Sequence, residues 1–157
     1  MMKVQGIGLP FDVNHSSCSN LVPTNFRWSI DQQETKVFVD NAIGNMIPYL
    51  DEKDSKNRFG WVCESRAIVP QLVDALINNT ENIVKYYDAI FTCDKQLVEL
   101  HDKFKFCPTG SNLAWVPEEH HKIYSKSKLC SMVASPKQMC DGHIYRHKWA
   151  EKLKDKI

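Results

Sequence analysis

Between Lys36 and Phe106 two kinds of short apolar run take turns, and that alternation constrains the fold more than any other feature of the chain. Lys36-Val37-Phe38-Val39-Asp40, Phe59-Gly60-Trp61-Val62-Cys63, Ala89-Ile90-Phe91-Thr92 and Phe104-Lys105-Phe106 are β-branched or aromatic and short, so each reads as a strand. The segments between them have helical period. Ile68, Leu72 and Leu76 recur on one face with Val69, Val73 and Ile77 beside them, until Asn78-Asn79-Thr80 ends that helix. Glu81–Tyr87 adds a further turn or two, and Lys95–His101 a short helix. Strand, helix, strand, helix, strand is the grammar of a parallel sheet with helices on its faces, so the expected class is α/β and Rossmann-like.

The flanks are weaker in signal. Lys3–Leu9 reads as a strand loosened by Gly6 and Gly8, and this Gly-x-Gly lacks the third glycine of a dinucleotide-binding loop. Pro10–Ser17 is polar and turn-forming, and the aromatic pair Phe26 and Trp28 is expected within a long surface loop that runs on toward residue 34. Asp51–Arg58 is a charged loop. Past Cys107 the periodicity is broken by Pro108, Gly110, Pro117 and Glu118-Glu119-His120-His121, so residues 1–107 form the first domain and 108–127 a linker. Lys128–Ala134 then reads as a new strand, Ser135–Asp141 as a loop, and about Gly142 to Lys156 as a helix with Tyr145, Trp149 and Leu153 on one face. One strand and one helix bury little, so residues 128–157 are expected to be the start of a second domain.

Charge and composition exclude several classes. Twenty basic against nineteen acidic side chains in 157 residues leave a net charge of +1, which offers no global field for nucleic acid. No apolar run approaches the ~20 residues of a membrane span. The six cysteines form no C-x-x-C pair, and the amino terminus has no signal-peptide pattern. Buried free thiols in a cytoplasmic protein are therefore expected, and the sequons at Asn14 and Asn78 read as chance.

In parallel sheets ligands bind outside the carboxyl ends of the strands. Glu64, Ser65, Arg66 and Asp94 follow strands at those ends and are the first candidates. Glu64 can serve as a general base, or simply as an acid favoured by the dipole of the next helix. The second candidate is the unit of loop and helix near the carboxyl terminus. Its helix start offers free N–H groups, Arg146 sits about one turn inside, and Ser135 and Lys137 lie in the preceding loop. That arginine can hold a phosphate, or lie on a solvated helix face. His143 and His147, four apart, fall short of the three or four ligands that zinc requires, so no metal is expected.

Trp61-Val62-Cys63-Glu64-Ser65, the helix after it and Tyr87-Asp88-Ala89-Ile90-Phe91-Thr92 resemble the acceptor-side core of the family 10 glycosyltransferases, the α-1,3/1,4-fucosyltransferases. In that family an aromatic-rich strand runs into Glu-Ser-Pro. Lys126-Ser127-Lys128-Leu129-Cys130-Ser131-Met132-Val133-Ala134-Ser135 is similar to the family's K-x-K-x-x-x-x-V-S-N strand, and Arg146–Leu153 keeps the arginine and the aromatic-to-leucine spacing of its helix. Arg66 stands where the motif has proline, and Pro136 where asparagine often follows the serine. The likeness covers residues 36–157 and extends to the shorter enzymes of marine bacteria and their phages.

The resemblance implies a GT-B glycosyltransferase, with two facing Rossmann-like domains and an inverting, metal-free reaction without cofactor. The donor would be GDP-fucose and the acceptor a glycan, with most of the nucleotide-sugar site in a carboxyl-terminal half missing from this chain. It implies that Glu64 is the base, that Arg146 holds the donor diphosphate with Ser135 and Lys137 in the phosphate loop, and that Ser65, Arg66 and Asp94 lie on the acceptor side. The alternative is a non-catalytic glycan-binding module that lacks a donor site; a metal-binding or purely structural α/β domain is the third reading.

Overall fold

The structure, a computed structural model, describes residues 1–15, 24–54, 57–108, 118–120, 122–127, 131–132 and 134–155. The chain divides into two compact units, Met1–Glu118 and Glu119–Ile157.

The first unit is built on a six-stranded, all-parallel sheet of order β2-β1-β3-β4-β5-β6. Its strands are β1 (Met2–Ile7), β2 (Phe26–Ser29), β3 (Lys36–Val39), β4 (Arg58–Val62), β5 (Ala89–Thr92) and β6 (Phe104–Phe106). The α-helices among the described residues of this unit are α1 (Ala42–Asn45), α2 (Pro70–Asn78), α3 (Thr80–Val84) and α4 (Lys95–Leu100). The α/β, Rossmann-like expectation holds. Two elements differ from it. Phe26-Arg27-Trp28-Ser29 is an edge strand rather than loop, paired along β1 from Met2↔Phe26 to Gln5↔Ser29. Arg58 belongs to β4 rather than to a charged loop; it is buried, and its guanidinium donates to the Asp51 carbonyl at 2.7 Å.

The register explains the core. Phe38, Gly60, Ile90 and Phe104 are partners across four strands, so their Cβ positions share one sheet face. Phe38, Ile90 and Phe104 pack there with Ile43 of α1, Leu72, Val73 and Leu76 of α2, Ile83 and Val84 of α3, and Leu97 of α4. Every helix of this unit given above thus lies against the same face. Gly60 has to be small: a Cβ there would come within 3.0 Å of Ile90. Tyr87, fully buried, donates its hydroxyl hydrogen to the Ile43 carbonyl at 2.6 Å and meets the Phe38 ring edge-on.

The opposite face is aromatic and half-buried, with Trp28, Phe59, Trp61 and Phe91; Phe11 packs its ring against Trp28 and Trp61. At the α2–α3 junction the Thr80 hydroxyl is buried and donates to the Leu76 carbonyl at 2.7 Å, so the Asn78 sequon presents no free hydroxyl.

In the second unit the long element is α5 (Asp141–Leu153). The strand expected over 128–134 is not there at Ser131, Met132 and Ala134, and the rest of that stretch lies outside the described residues. A lone strand has no ladder to join.

Candidate functional site

Because β1 lies between β2 and β3, the order of strands reverses there, and in parallel sheets the crevice outside the carboxyl ends near such a reversal is where ligands sit. The turn leaving β1 demands glycine: Gly8 has φ +78°, and a Cβ on it would come within 3.1 Å of Ala42 and of the Val39 carbonyl.

Beside it, β3 ends in Asp40, whose φ of 46° is left-handed, a conformation that Asp tolerates better than most residues. Its Oδ1 accepts from the backbone N–H groups of Cys63 at 2.9 Å and Glu64 at 3.3 Å, and its Oδ2 accepts from the Cys63 thiol at 2.9 Å. The end of β3 therefore holds the turn that carries Glu64. Sequence reasoning missed Asp40 by counting it inside the strand, although the strand-end rule that picks Glu64 and Asp94 applies to it equally. Asp40→Ala is expected to cost about 1–3 kcal/mol, since it strands donors of a half-buried turn. Asp40→Asn keeps an acceptor oxygen and should retain most of that stability in urea denaturation.

Glu64 is exposed, and its carboxylate engages none of the described residues, so it is available to a ligand. The Ser65 carbonyl accepts from the N–H groups of Ile68 and Val69, which turns the chain into α2. Arg66 reaches across to the end of β5: its Nε donates to Asp94 Oδ2 and its Nη2 to Asp94 Oδ1, both at 3.0 Å, a bidentate clamp. Asp94 is also the N-cap of α4, accepting from the Leu97 N–H at 3.3 Å. Glu64, Ser65, Arg66 and Asp94 thus meet at one edge, as the strand-end argument expects. Arg66 is half-exposed while Asp94 is well covered, so the guanidinium forms the outer lip of this edge.

The cleft of about 270 Å³ lined by Ile77–Glu81, Asn82 and Leu100 lies where α2 gives way to α3, and Asp40, Glu64, Ser65, Arg66 and Asp94 are not part of its lining.

Arg146, Ser135 and Lys137 belong to the second unit, and all three are exposed. The two histidines of α5 are committed to the loop before it. His143 accepts the Met139 N–H on Nδ1, and His147 donates from Nε2 to the Lys137 carbonyl, each at 3.2 Å. They fix the loop that contains Lys137 to the helix that contains Arg146. Among the described residues no group of His, Cys, Asp and Glu could hold a metal ion. Also among them, no helix is long and apolar enough to cross a membrane.

No family model, characterised protein or solved structure matches the chain.

Proposed function

We propose that the chain is part of an inverting glycosyltransferase of the fucosyltransferase type, which moves a sugar from a nucleotide donor, GDP-fucose, to a glycan hydroxyl. One observation carries the reading. An exposed carboxylate, Glu64, stands at the carboxyl edge of a parallel sheet, with its backbone held by Asp40. A carboxylate so held can take the proton of an acceptor hydroxyl as that oxygen attacks the anomeric carbon. The bond from the anomeric carbon to the donor phosphate breaks in the same step, and the leaving diphosphate carries away the electron pair. Arg146 would hold that diphosphate by charge-assisted hydrogen bonds, with Ser135 and Lys137 in the adjoining loop. Arg66 and Asp94, already clamped to one another, would line the acceptor side with Ser65. The architecture would be GT-B, completed by a second Rossmann-like half. The free thiols at Cys93, Cys107 and Cys140 fit a reducing compartment, the cytoplasm.

A second reading rests on the same edge. Asp40, Glu64 and Asp94 are hydrogen-bond acceptors suited to sugar hydroxyls whether or not a donor is present, which is what a glycan-binding module without a donor site needs.

Incubation of the chain, together with the carboxyl-terminal half that would complete it, with GDP-fucose and a panel of glycans separates the two. Glycan-dependent release of GDP is expected. Glycan binding without GDP release would give precedence to the binding module, and neither binding nor release would remove both readings.

A further inference from the structure

The carboxyl edge carries a second chemical feature, independent of the glycosyltransferase reading. Cys63, Cys93 and Cys107 each follow the last residue of a strand, β4, β5 and β6, and these are neighbours in the sheet. Val62 pairs with Thr92 and Thr92 with Phe106, so the three cysteines occupy the next position of one register row. Side chains alternate along strands. Thr92 is buried on the helix-covered face, which sends the Cys93 position, and the Cys107 position aligned with it, to the opposite one. All three are half-buried, not fully buried as the sequence suggested, and Cys93 and Cys107 carry free thiols.

The three are not equivalent. The Cys63 thiol donates its hydrogen to Asp40, and its N–H turns to the same carboxylate. Cys107 stays in the ladder instead, its N–H donating to the Thr92 carbonyl at 2.9 Å, which keeps it aligned with Cys93. Aligned residues of adjacent strands have Cα atoms about 4.8 Å apart, inside the window of roughly 4.4–6.8 Å that a disulfide spans. The chain can adjust on both sides. Asp94 turns away into α4, and Pro108 cannot extend the ladder.

We propose that Cys93 and Cys107 form a vicinal dithiol, a modification site that a peroxide-class oxidant converts to a reversible disulfide across the ends of β5 and β6. One thiolate attacks the peroxide, forming a sulfenic acid and releasing water or an alcohol. The neighbouring thiol attacks that sulfur, the S–S bond forms, and the sulfenic oxygen leaves as water. Two thiols are oxidised, the O–O bond is reduced, and an added thiol reverses the change. In a reducing compartment such a bond is transient, the usual character of cytosolic disulfides. Its place is significant, because Cys93 precedes the Asp94 that caps α4 and holds Arg66.

The test uses the full chain treated with hydrogen peroxide, alkylated with iodoacetamide and digested with trypsin. The three cysteines fall in separate peptides, 59–66, 86–95 and 106–122. The expected result is a cross-linked species of 86–95 with 106–122, two hydrogen masses below their sum, with loss of alkylation at both and its return after dithiothreitol. Cys107→Ser should abolish the cross-link, and Cys63→Ser should leave it. In reduced protein, phenylarsine oxide should protect Cys93 and Cys107 together from alkylation, a readout that needs no oxidation. Alkylation of both after peroxide, a cross-link through Cys63 instead, or cross-linking between two chains alone would each overturn the proposal.

Discussion

Truncation of Tyr87 to alanine is expected to lower the unfolding free energy of the first unit by about 3–5 kcal/mol, the range for removing a large buried aromatic side chain. Tyr87 is fully buried and touches two layers at once, its ring edge against Phe38 of β3 and its hydroxyl on the Ile43 carbonyl of α1. The alanine variant loses the ring's contacts and leaves that carbonyl without its donor. Urea denaturation followed by far-ultraviolet circular dichroism measures the change; an unaltered midpoint would show that the site collapses without loss. Tyr87→Phe isolates the hydroxyl and should cost less. It should also alter the response to alkali. Burial pushes the Tyr87 phenol well above its ordinary value, against a smaller opposite pull from the positive charge of Arg58. In the unfolded chain this phenol ionises near pH ~10, while in the folded state it keeps its proton. Its contribution to stability is therefore complete below that pH and falls as pH rises beyond it, a slope that the phenylalanine variant lacks.

The second large effect concerns chemistry. If Glu64 is the base, Glu64→Gln in the complete enzyme should lower sugar transfer by about 10²–10⁴-fold, the usual worth of a positioned general base. GDP affinity should change little, because the donor contacts are assigned to Arg146, Ser135 and Lys137. The substitution is nearly isosteric, and the side chain it alters is exposed, so folding should be unaffected. Initial rates of GDP release at saturating donor, with calorimetric titration of GDP, separate the two quantities. Unchanged turnover would remove Glu64 from the mechanism. Arg146→Ala should show the converse, weaker GDP binding through loss of a charge-assisted contact.

The right half of the sheet was legible because each strand is a dense run of β-branched or aromatic residues next to a helix of clear period. Observed β5 and β6 coincide with the expected Ala89–Thr92 and Phe104–Phe106. On the other side β1 and β3 also read as strands, but the edge strand β2 does not. Phe26-Arg27-Trp28-Ser29 has two aromatic residues in four, and what makes it a strand is pairing with β1, more than twenty positions away in sequence. Helix α1 has four residues, Gly44 among them, and its fold-back is held by a tertiary contact, Ile43 in the core. The site divides in the same way. Strand ends are a local signal, so Glu64, Ser65, Arg66 and Asp94 could be named. The Arg66–Asp94 clamp and the grip of Asp40 on the Glu64 turn join residues 28 and 24 positions apart, and no local pattern carries them.

The strand order has a consequence during synthesis. β1 emerges from the ribosome before either of its partners, yet it ends as an interior strand with β2 on one side and β3 on the other. Helices α2 and α4 return the chain to a strand already beside the growing sheet, so β3 to β6 can be added one neighbour at a time. β1 has no such template: it waits unpaired until residue 29 is out, and the N–H and C=O groups of its other edge stay open to any passing strand until residue 39 is out. The amino-terminal strand is therefore the part of this chain most in need of shelter while it is being made.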